Sequence, residues 1–130
     1  MERKVILTAL FMGMVSIVLG AFGAHALKNL LDPAALVTFE TGVRYQMYHA
    51  LFLLFLGTNN GIQEQTKKII FNFTVIGVLL FSGSIYFLAT NALTSFDFKK
   101  IGFVTPIGGL LLIIAWTLLF WGILNKKRQN

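Results

Sequence analysis

The stretch FETGVRYQMYHAL, residues 39–51, carries most of the side chains in this chain that could do chemistry. Glu40 and Arg44 have the i,i+4 spacing of neighbours on one helix face, in the order that favours an ion pair. Tyr45 and His49 form a second pair at the same spacing on a different face. Carboxylates and imidazoles serve as general acids and bases, and ion pairs also join helices. These residue types are therefore compatible with acid–base catalysis, proton transfer or a structural network.

A strongly apolar chain surrounds these polar residues. The 130 residues are 56% hydrophobic, with a mean hydropathy of +0.76, whereas soluble globular chains are about 45–50% apolar. Four apolar blocks cover residues 5–27, 34–57, 68–90 and 105–124, each near the ~20 residues that cross a bilayer as a helix. Because loops cannot satisfy their backbone polar groups in lipid, we predict an all-α integral membrane protein. The expected architecture is a single domain, residues 1–130, that forms a four-transmembrane-helix bundle.

The polar stretch lies within the second of these blocks. A surface helix followed by a span from Tyr45 to Thr58 would leave only 14 residues, about 21 Å, which is too short to cross. Residues 34–57 extend roughly 36 Å, and Asp32 and Pro33 before them suit the cap and the first position of a helix. We therefore place the charged residues of this block inside the membrane.

The cations of this chain lie at the ends of the apolar blocks, which is a topology signal. With four spans, both termini and the middle loop share one side of the membrane, and seven cations lie there: Arg3, Lys4, Lys67, Lys68, Lys126, Lys127 and Arg128. Three cations lie on the other side: Lys28, Lys99 and Lys100. The positive-inside rule predicts N and C termini on the cytoplasmic side of a multi-pass protein in the bacterial cytoplasmic (inner) membrane. Because this distribution explains the net charge of +6, we expect the lipid bilayer and no nucleic acid as a partner.

The N-terminus also has features of a secretory signal peptide. The sequence MERK precedes an apolar run that ends in Ala24-His25-Ala26, which resembles a cleavage site. The apolar run, however, exceeds the roughly 7–15 residues that are usual in a signal peptide. We interpret residues 5–27 as the first membrane span rather than as a cleaved leader.

The polar residues of different helices are expected to meet in the non-cytoplasmic half of the bundle. Glu40 and Arg44 lie about 9 and 15 Å below the outer start of their helix, and the first and third helices carry polar residues in the same half. An ionisable group inside a span costs ~2.5–3.5 kcal/mol on insertion scales, so it should be paired and face the interior. We predict an ion pair between Glu40 and Arg44 within a hydrogen-bonded network. The candidate intramembrane polar cluster comprises His25, Glu40, Arg44, Tyr45, Gln46, His49, Ser82 and Tyr86.

Small residues predict where the helices approach each other closely. Ser16, Gly20 and Ala24 recur every four residues on the first helix, and glycines occur beside the polar residues of the third helix and at the start of the fourth. Such small-xxx-small spacing lets helix backbones pack tightly in lipid. The candidate helix-packing residues are Ser16, Gly20, Gly23, Ala24, Gly83, Gly108 and Gly109.

Motifs of metal, haem or covalent chemistry are missing from the sequence. The chain has no cysteine, and therefore no thiolate, and no HExxH motif supplies a zinc site. His25 lies near the outer boundary and His49 lies ~22 Å along the descending second helix, so they are too far apart to ligate one haem. No G-x-S-x-G elbow or GxGxxG loop occurs. We therefore expect no cofactor, no bound metal and no catalytic residue of these classes.

Four motifs together resemble a known family. They are GAFGAHALK at residues 20–28, FETGVRYQMYHAL at 39–51, FSGSIYFL at 81–88 and TPIGG at 105–109. In this order they are similar to the bacterial domain-of-unknown-function family 423, whose eukaryotic relatives are the transmembrane protein 256 group. The resemblance implies a small four-helix inner-membrane protein. It implies no activity and transfers no catalytic or ligand-binding residue.

Three functions are compatible with the sequence. The first is an uncharacterised structural or accessory bundle, whose polar network sets helix packing and which forms a homo-oligomer or joins a larger membrane complex. The second is an oligomeric transporter or binder of small solutes, protons or lipids that uses the polar cluster. The third is a membrane enzyme that acts on a lipid or quinone, with Glu40 or His49 as acid or base. The absence of catalytic motifs favours the first.

Overall fold

The computed structural model describes residues 1–126, which form four long α-helices and short turns of 3₁₀ helix. The helices are α1 (Glu2–His25), α2 (Pro33–Thr58), α3 (Glu64–Ala89) and α4 (Val104–Lys126). The 3₁₀ turns lie at Leu27–Asn29, Asn91–Leu93 and Phe98–Ile101. The prediction of an all-α protein is confirmed. Lys127 and Arg128, which entered the charge count for the topology, lie outside the described residues.

Three of the four helices are long and apolar enough to cross a membrane. They are α1, α3 and the segment Phe98–Lys126 that contains α4. α2 has the same length as α3, 26 residues, but its polar stretch lowers its hydropathy. The sequence predicted four spans, and by length and composition the described residues give three.

The helices pack in the order in which they follow one another along the chain. α1 packs on α2, α2 on α3 and α3 on α4, and each pair is antiparallel. At one end of the bundle Gly57 of α2 lies against Val5 and Ile6 of α1, and we call this end, which carries the N-terminus, the terminal end. At the opposite end, the loop end, Gly23 of α1 lies against Phe39 of α2. Consecutive helices therefore run up and down between these two ends.

The start of α2 is fixed by its cap, as the sequence predicted. Asp32 is the N-cap residue, and its side chain accepts a 2.8 Å hydrogen bond from the backbone N–H of Ala35. Pro33 occupies the first helical turn, where its missing N–H removes no helical hydrogen bond. This prediction is confirmed, and the cap fixes the residue at which α2 begins.

The apolar core is divided into two parts by polar side chains. At the terminal end, one buried apolar cluster includes Val5, Leu53, Leu56 and Ile70. At the loop end, a smaller cluster contains Leu27, Leu31, Phe39 and Ala89. Between these clusters along the helices lie Ser16, Gln46, His49, Ser82 and Tyr86, which we call the polar layer. The polar layer is therefore the candidate site of any function inside the bundle.

Candidate functional site

Gln46 lies within the polar layer and joins three helices. Its side chain is 7% exposed. The amide Nε2 donates a 2.9 Å hydrogen bond to the backbone carbonyl of Met12 in α1, and Oε1 accepts a 2.6 Å bond from the hydroxyl of Tyr86 in α3. One neutral side chain therefore fixes the register of α2 against both of its neighbours.

Two serines of the polar layer also donate to backbone carbonyls, Ser82 across to α2 and Ser16 within α1. The hydroxyl of Ser82 in α3 donates to the carbonyl of Gly42 in α2 at 2.8 Å, and Ser16 donates to the carbonyl of Met12 at 2.9 Å. A Cβ at Gly42 would lie only 2.7 Å from the ring of Tyr86. The absence of a side chain at Gly42 is thus what lets α2 and α3 come close enough for the serine to reach a backbone carbonyl.

His49 is held in one tautomer by its two partners. The indole N–H of Trp116 in α4 donates a 3.0 Å hydrogen bond to Nε2, and Nδ1 lies 2.7 Å from the carbonyl oxygen of Tyr45. An indole N–H can only donate and a carbonyl can only accept. Nε2 therefore carries no proton and Nδ1 donates its own, which makes the ring neutral. Because both nitrogens are occupied, this arrangement positions α4 against α2 and leaves no free base at His49.

Glu40 and Arg44 lie outside the polar layer, on the exposed face of α2. The expected ion pair between them is not formed within residues 1–126, and Arg44 instead donates to the hydroxyl of Thr41 at 3.3 Å. The helical register gives the reason: at 100° per residue, Arg44 points about 160° away from Gln46, which contacts α1 and α3. The structure thus differs from the interior position that the sequence led us to expect.

Two further members of the predicted cluster also face outward. His25 is the last residue of α1 and is exposed at the loop end. Tyr45 is 39% exposed, and its ring centroid lies 5.3 Å from that of Tyr48 and 5.2 Å from that of Phe81. The members of the predicted cluster that share the polar layer are Gln46, His49, Ser82 and Tyr86. The structure therefore leaves both charged residues of the predicted cluster, together with His25 and Tyr45, outside the polar layer.

The predicted small residues divide into contact positions and open positions. Those at helix contacts are Ser16, Gly20, Gly23, Gly108 and Gly109. A methyl group at Gly108 would overlap the backbone nitrogen of Phe81, so α3 and α4 touch there backbone to backbone. Ala24 is exposed, and a Cβ at Gly83 would meet no atom within 4 Å. Four-residue spacing alone does not say which face of a helix meets a neighbour, which is why these two positions were included.

A charged cluster at the terminal end was not predicted from the sequence. Lys67 is 1% exposed; its Nζ donates a 2.6 Å hydrogen bond to the carbonyl of Asn59 and lies 3.7 Å from a carboxylate oxygen of Glu2. The side chain of Asn59 accepts a 3.1 Å bond from Nζ of Lys126. Asn59 is the C-cap residue of α2, where the helix dipole favours a cation. In the sequence both lysines served only as topology signals. The turn TNNG at residues 58–61 was the available clue that polar groups at the end of α2 could bind a cation.

Trp116 was also missed as a partner of the polar residues. It lies in the middle of an apolar helix, and its ring packs on that of Phe52 with centroids 4.5 Å apart. An indole N–H in apolar surroundings needs an acceptor, and this need was the signal that could have linked Trp116 to His49. Throughout residues 1–126, every buried side-chain nitrogen or oxygen has a hydrogen-bond partner. The interior polar groups of this part of the chain are therefore consumed by contacts between and within helices.

Comparison with known proteins gives one family and several relatives. A family model described as "Protein of unknown function (DUF423)" matches residues 19–109, a range that contains all four motifs of the predicted resemblance. A UPF0382 membrane protein of Haemophilus influenzae is 35% identical over 127 residues, which cover 98% of each chain. A UPF0382 membrane protein of Staphylococcus saprophyticus is 39% identical over 109 residues, 84% of this chain and 87% of the relative. The UPF0382 inner membrane protein YgdD of Escherichia coli K12 is 33% identical over 133 residues, 99% of this chain and 95% of the relative. No solved structure matches the chain.

Proposed function

The chain belongs to the DUF423 family and is a protein of the bacterial inner membrane, and from this premise we propose that it acts there as a structural or accessory component. One observation carries the proposal. Every buried side-chain nitrogen or oxygen of residues 1–126 already has a protein partner. Binding sites for polar substrates need convergent polar groups that remain free to meet the ligand. The polar layer instead supports a role in holding α1, α2, α3 and α4 at fixed register.

The proposed topology makes α2 the fourth membrane span. α2 packs between α1 and α3, which are both apolar enough to cross, and it meets α1 from Phe39 near one end to Gly57 near the other. A helix that packs along the full length of a membrane-spanning helix lies at the same depth in the bilayer. The terminal end carries more cations than the loop end, and the positive-inside rule therefore favours cytoplasmic termini.

Single cysteines on either side of α2 test this topology, because the chain has no cysteine of its own. Asn29 and Asn60 are exposed and bracket the helix. In intact cells we expect a membrane-impermeant maleimide to label Asn29→Cys and to label Asn60→Cys only after the cells are permeabilised. Equal labelling of both positions would show that α2 does not cross, and the reverse pattern would place the termini outside.

Native mass spectrometry of the protein, gently extracted from its own membrane, tests the structural or accessory role. We expect the intact bundle, with or without a stoichiometric protein partner, and no stoichiometric small molecule. A small molecule that is retained by the wild type and lost from Trp116→Phe, while the bundle stays folded, would contradict the proposal. In cells, we expect a strain that lacks this protein to have the same lipid and quinone profiles as the parent strain.

A lipid or quinone binder is the second candidate, and one cleft favours it. The cleft has a volume of about 370 Å³ and opens beside His49, between Tyr45, Phe81 and Trp116. Its lining is mainly aromatic and aliphatic, which suits the tail or ring of a membrane-soluble molecule. An acid–base reaction in this cleft would first have to break one of the two hydrogen bonds of the imidazole. The cleft therefore favours binding over catalysis.

A further inference from the structure

One face of α2 is turned away from the other three helices. Its exposed residues recur every three or four positions, which is the spacing of a single helix stripe. They are Val37, Glu40, Arg44, Tyr48, Leu51 and Phe55, and we call this stripe the outer face of α2. It is apolar toward the terminal end and carries two opposite charges toward the loop end.

The two charges on this face have no ionic partner within residues 1–126. Their neighbours along the stripe are apolar or aromatic, and the helices on either side of α2 are both apolar enough to cross the membrane. An uncompensated charge on a lipid-facing surface is unfavourable, and intramembrane charges are therefore paired with one another or buried in protein. A carboxylate and a guanidinium on one face thus call for a partner that offers both opposite charges.

We propose that a second copy of this chain covers the outer face of α2, with Glu40 of each copy paired to Arg44 of the other. The inference rests on the proposed membrane-spanning position of α2. The face is self-complementary, because it carries one acid and one base that a two-fold axis exchanges. Two copies therefore satisfy four charges with two reciprocal ion pairs, and the assembly closes as a dimer.

The membrane restricts how the two copies can be related. Both have the same orientation in the bilayer, so the two-fold axis lies along the membrane normal and the two α2 helices run parallel. Glu40 of one copy and Arg44 of the other then differ in height by four residues, about 6 Å. Charged side chains span a similar step when they form salt bridges between the parallel helices of a coiled coil.

The surface beside the charges can accept a helix at close range. A groove of about 380 Å³ lies between α1 and α2, and Ser16 and Gly20 line it from α1. Glu40 and Arg44 line the same groove from α2. Gly20 is partly exposed there, and small residues at a helix surface allow close approach in lipid, where packing drives association. Charge complementarity and an open groove thus occur at the same place.

Crosslinking of single cysteines in native membranes tests whether two copies meet at the outer face of α2. Val37→Cys and Leu51→Cys replace side chains that are 58% and 57% exposed on the outer face of α2. Ile113→Cys is the matched control, since Ile113 is 63% exposed on α4. With an oxidant we expect disulfide-linked dimers at both α2 positions and none at the control. Equal crosslinking of all three, or none at the α2 positions, would overturn the proposal.

Exchange of charges tests the pairing itself. Glu40→Arg leaves two positive side chains on the face and Arg44→Glu leaves two negative ones. Each variant alone should lose dimer affinity by about 100-fold or more, the size expected for broken buried ion pairs. When the two variants carry different tags and are co-expressed, they should capture each other as a mixed dimer. Lys28→Glu changes the net charge by the same amount as Arg44→Glu, lies outside this face, and should leave the dimer intact.

The outcomes separate this inference from the proposed function. Crosslinks on α2 without a mixed dimer would overturn the pairing of Glu40 with Arg44. A folded monomer that retains a phospholipid, lost on Arg44→Gln, would show that a headgroup and not a second copy meets the charges. Either result leaves the structural role of the polar layer standing. If the charge variants fail to fold, the cysteine crosslinks still decide whether a second copy covers the outer face of α2.

Discussion

The two faces of α2 handle polarity in opposite ways. The inner face presents Gly42, Gln46 and His49, whose neutral groups each meet a defined partner in another helix. The outer face presents Glu40 and Arg44, which form no ion pair within residues 1–126. A neutral amide or imidazole is satisfied by two or three hydrogen bonds, which neighbouring helices can supply. A charge in lipid is stabilised by a countercharge as well. This difference is the basis of our two proposals, that the inner polar residues fix the fold and that the outer charged residues serve association.

The largest effect is expected at the first of two adjacent glycines of α4, Gly108 and Gly109. A methyl group at Gly108 would overlap the backbone of Phe81 and lie 2.7 Å from the carbonyl carbon of Leu80, so Gly108→Ala must push α3 and α4 apart. We expect it to lower the free energy of unfolding by about 3 kcal/mol. At Gly109 the nearest atoms would be ring carbons of Phe81 at 3.5 Å, an ordinary contact, and Gly109→Ala should be tolerated. Unfolding in mixed micelles measures both, and similar losses would contradict the close approach at Gly108.

The next effect concerns the central hydrogen bonds of the inner face. Gln46→Leu removes the links to Met12 and Tyr86, and leaves the tyrosine hydroxyl without its acceptor. We expect a loss of about 1–3 kcal/mol in the free energy of unfolding. In a double-mutant cycle with Tyr86→Phe, the coupling should be about 0.6 kcal/mol and at most about 1.7 kcal/mol, the average and the maximum for hydrogen bonds between membrane helices. Glu40→Gln is the control on the outer face, and under monomeric conditions it should leave stability unchanged. A larger loss from Glu40→Gln than from Gln46→Leu would reverse the comparison.

A smaller effect is expected where α4 meets α2. Trp116→Phe removes the hydrogen bond to Nε2 of His49 but keeps an aromatic ring against Phe52. We expect the free energy of unfolding to fall by about 0.6 kcal/mol, the average for such hydrogen bonds in membranes. Nitrogen-15 NMR of the imidazole should show His49 as the Nδ1-protonated tautomer. A ring protonated at Nε2 would rule out the bond from the indole, and His25, which is exposed, serves as the internal reference.

The smallest effect should be a gain. A Cβ at Gly83 would meet no atom within 4 Å, so Gly83→Ala introduces no clash and removes a glycine from within α3. Alanine is about 1 kcal/mol more favourable than glycine within a helix. We expect stability to rise by up to about 1 kcal/mol in the same unfolding experiment. Destabilisation would indicate that Gly83 meets a partner, such as another copy of the chain.

The sequence was sufficient for the helices and insufficient for their faces. Apolar blocks predicted where each helix lies, and Asp32 with Pro33 predicted the start of α2, because these depend on local chemistry. Which side of α2 meets α1 and α3 depends on how three helices pack together, and periodicity cannot supply that. For this reason Gln46 was assigned to the cluster on equal terms with Arg44, although the two point in nearly opposite directions. The burial of Lys67 was also out of reach, because its partners Asn59 and Glu2 come from other helices or turns.

The packing of consecutive helices against each other bears on how the protein is made. Helices that are neighbours in the chain are neighbours in space, so most contacts between helices join consecutive elements. During synthesis α2 can dock on α1 as soon as it emerges, and α3 can then dock on that hairpin. α4 arrives last, and Lys126 at its end reaches Asn59 in the turn between the second and third helices. Translation and assembly can therefore proceed in the same order, and the hydrogen bond from Lys126 to Asn59 forms last.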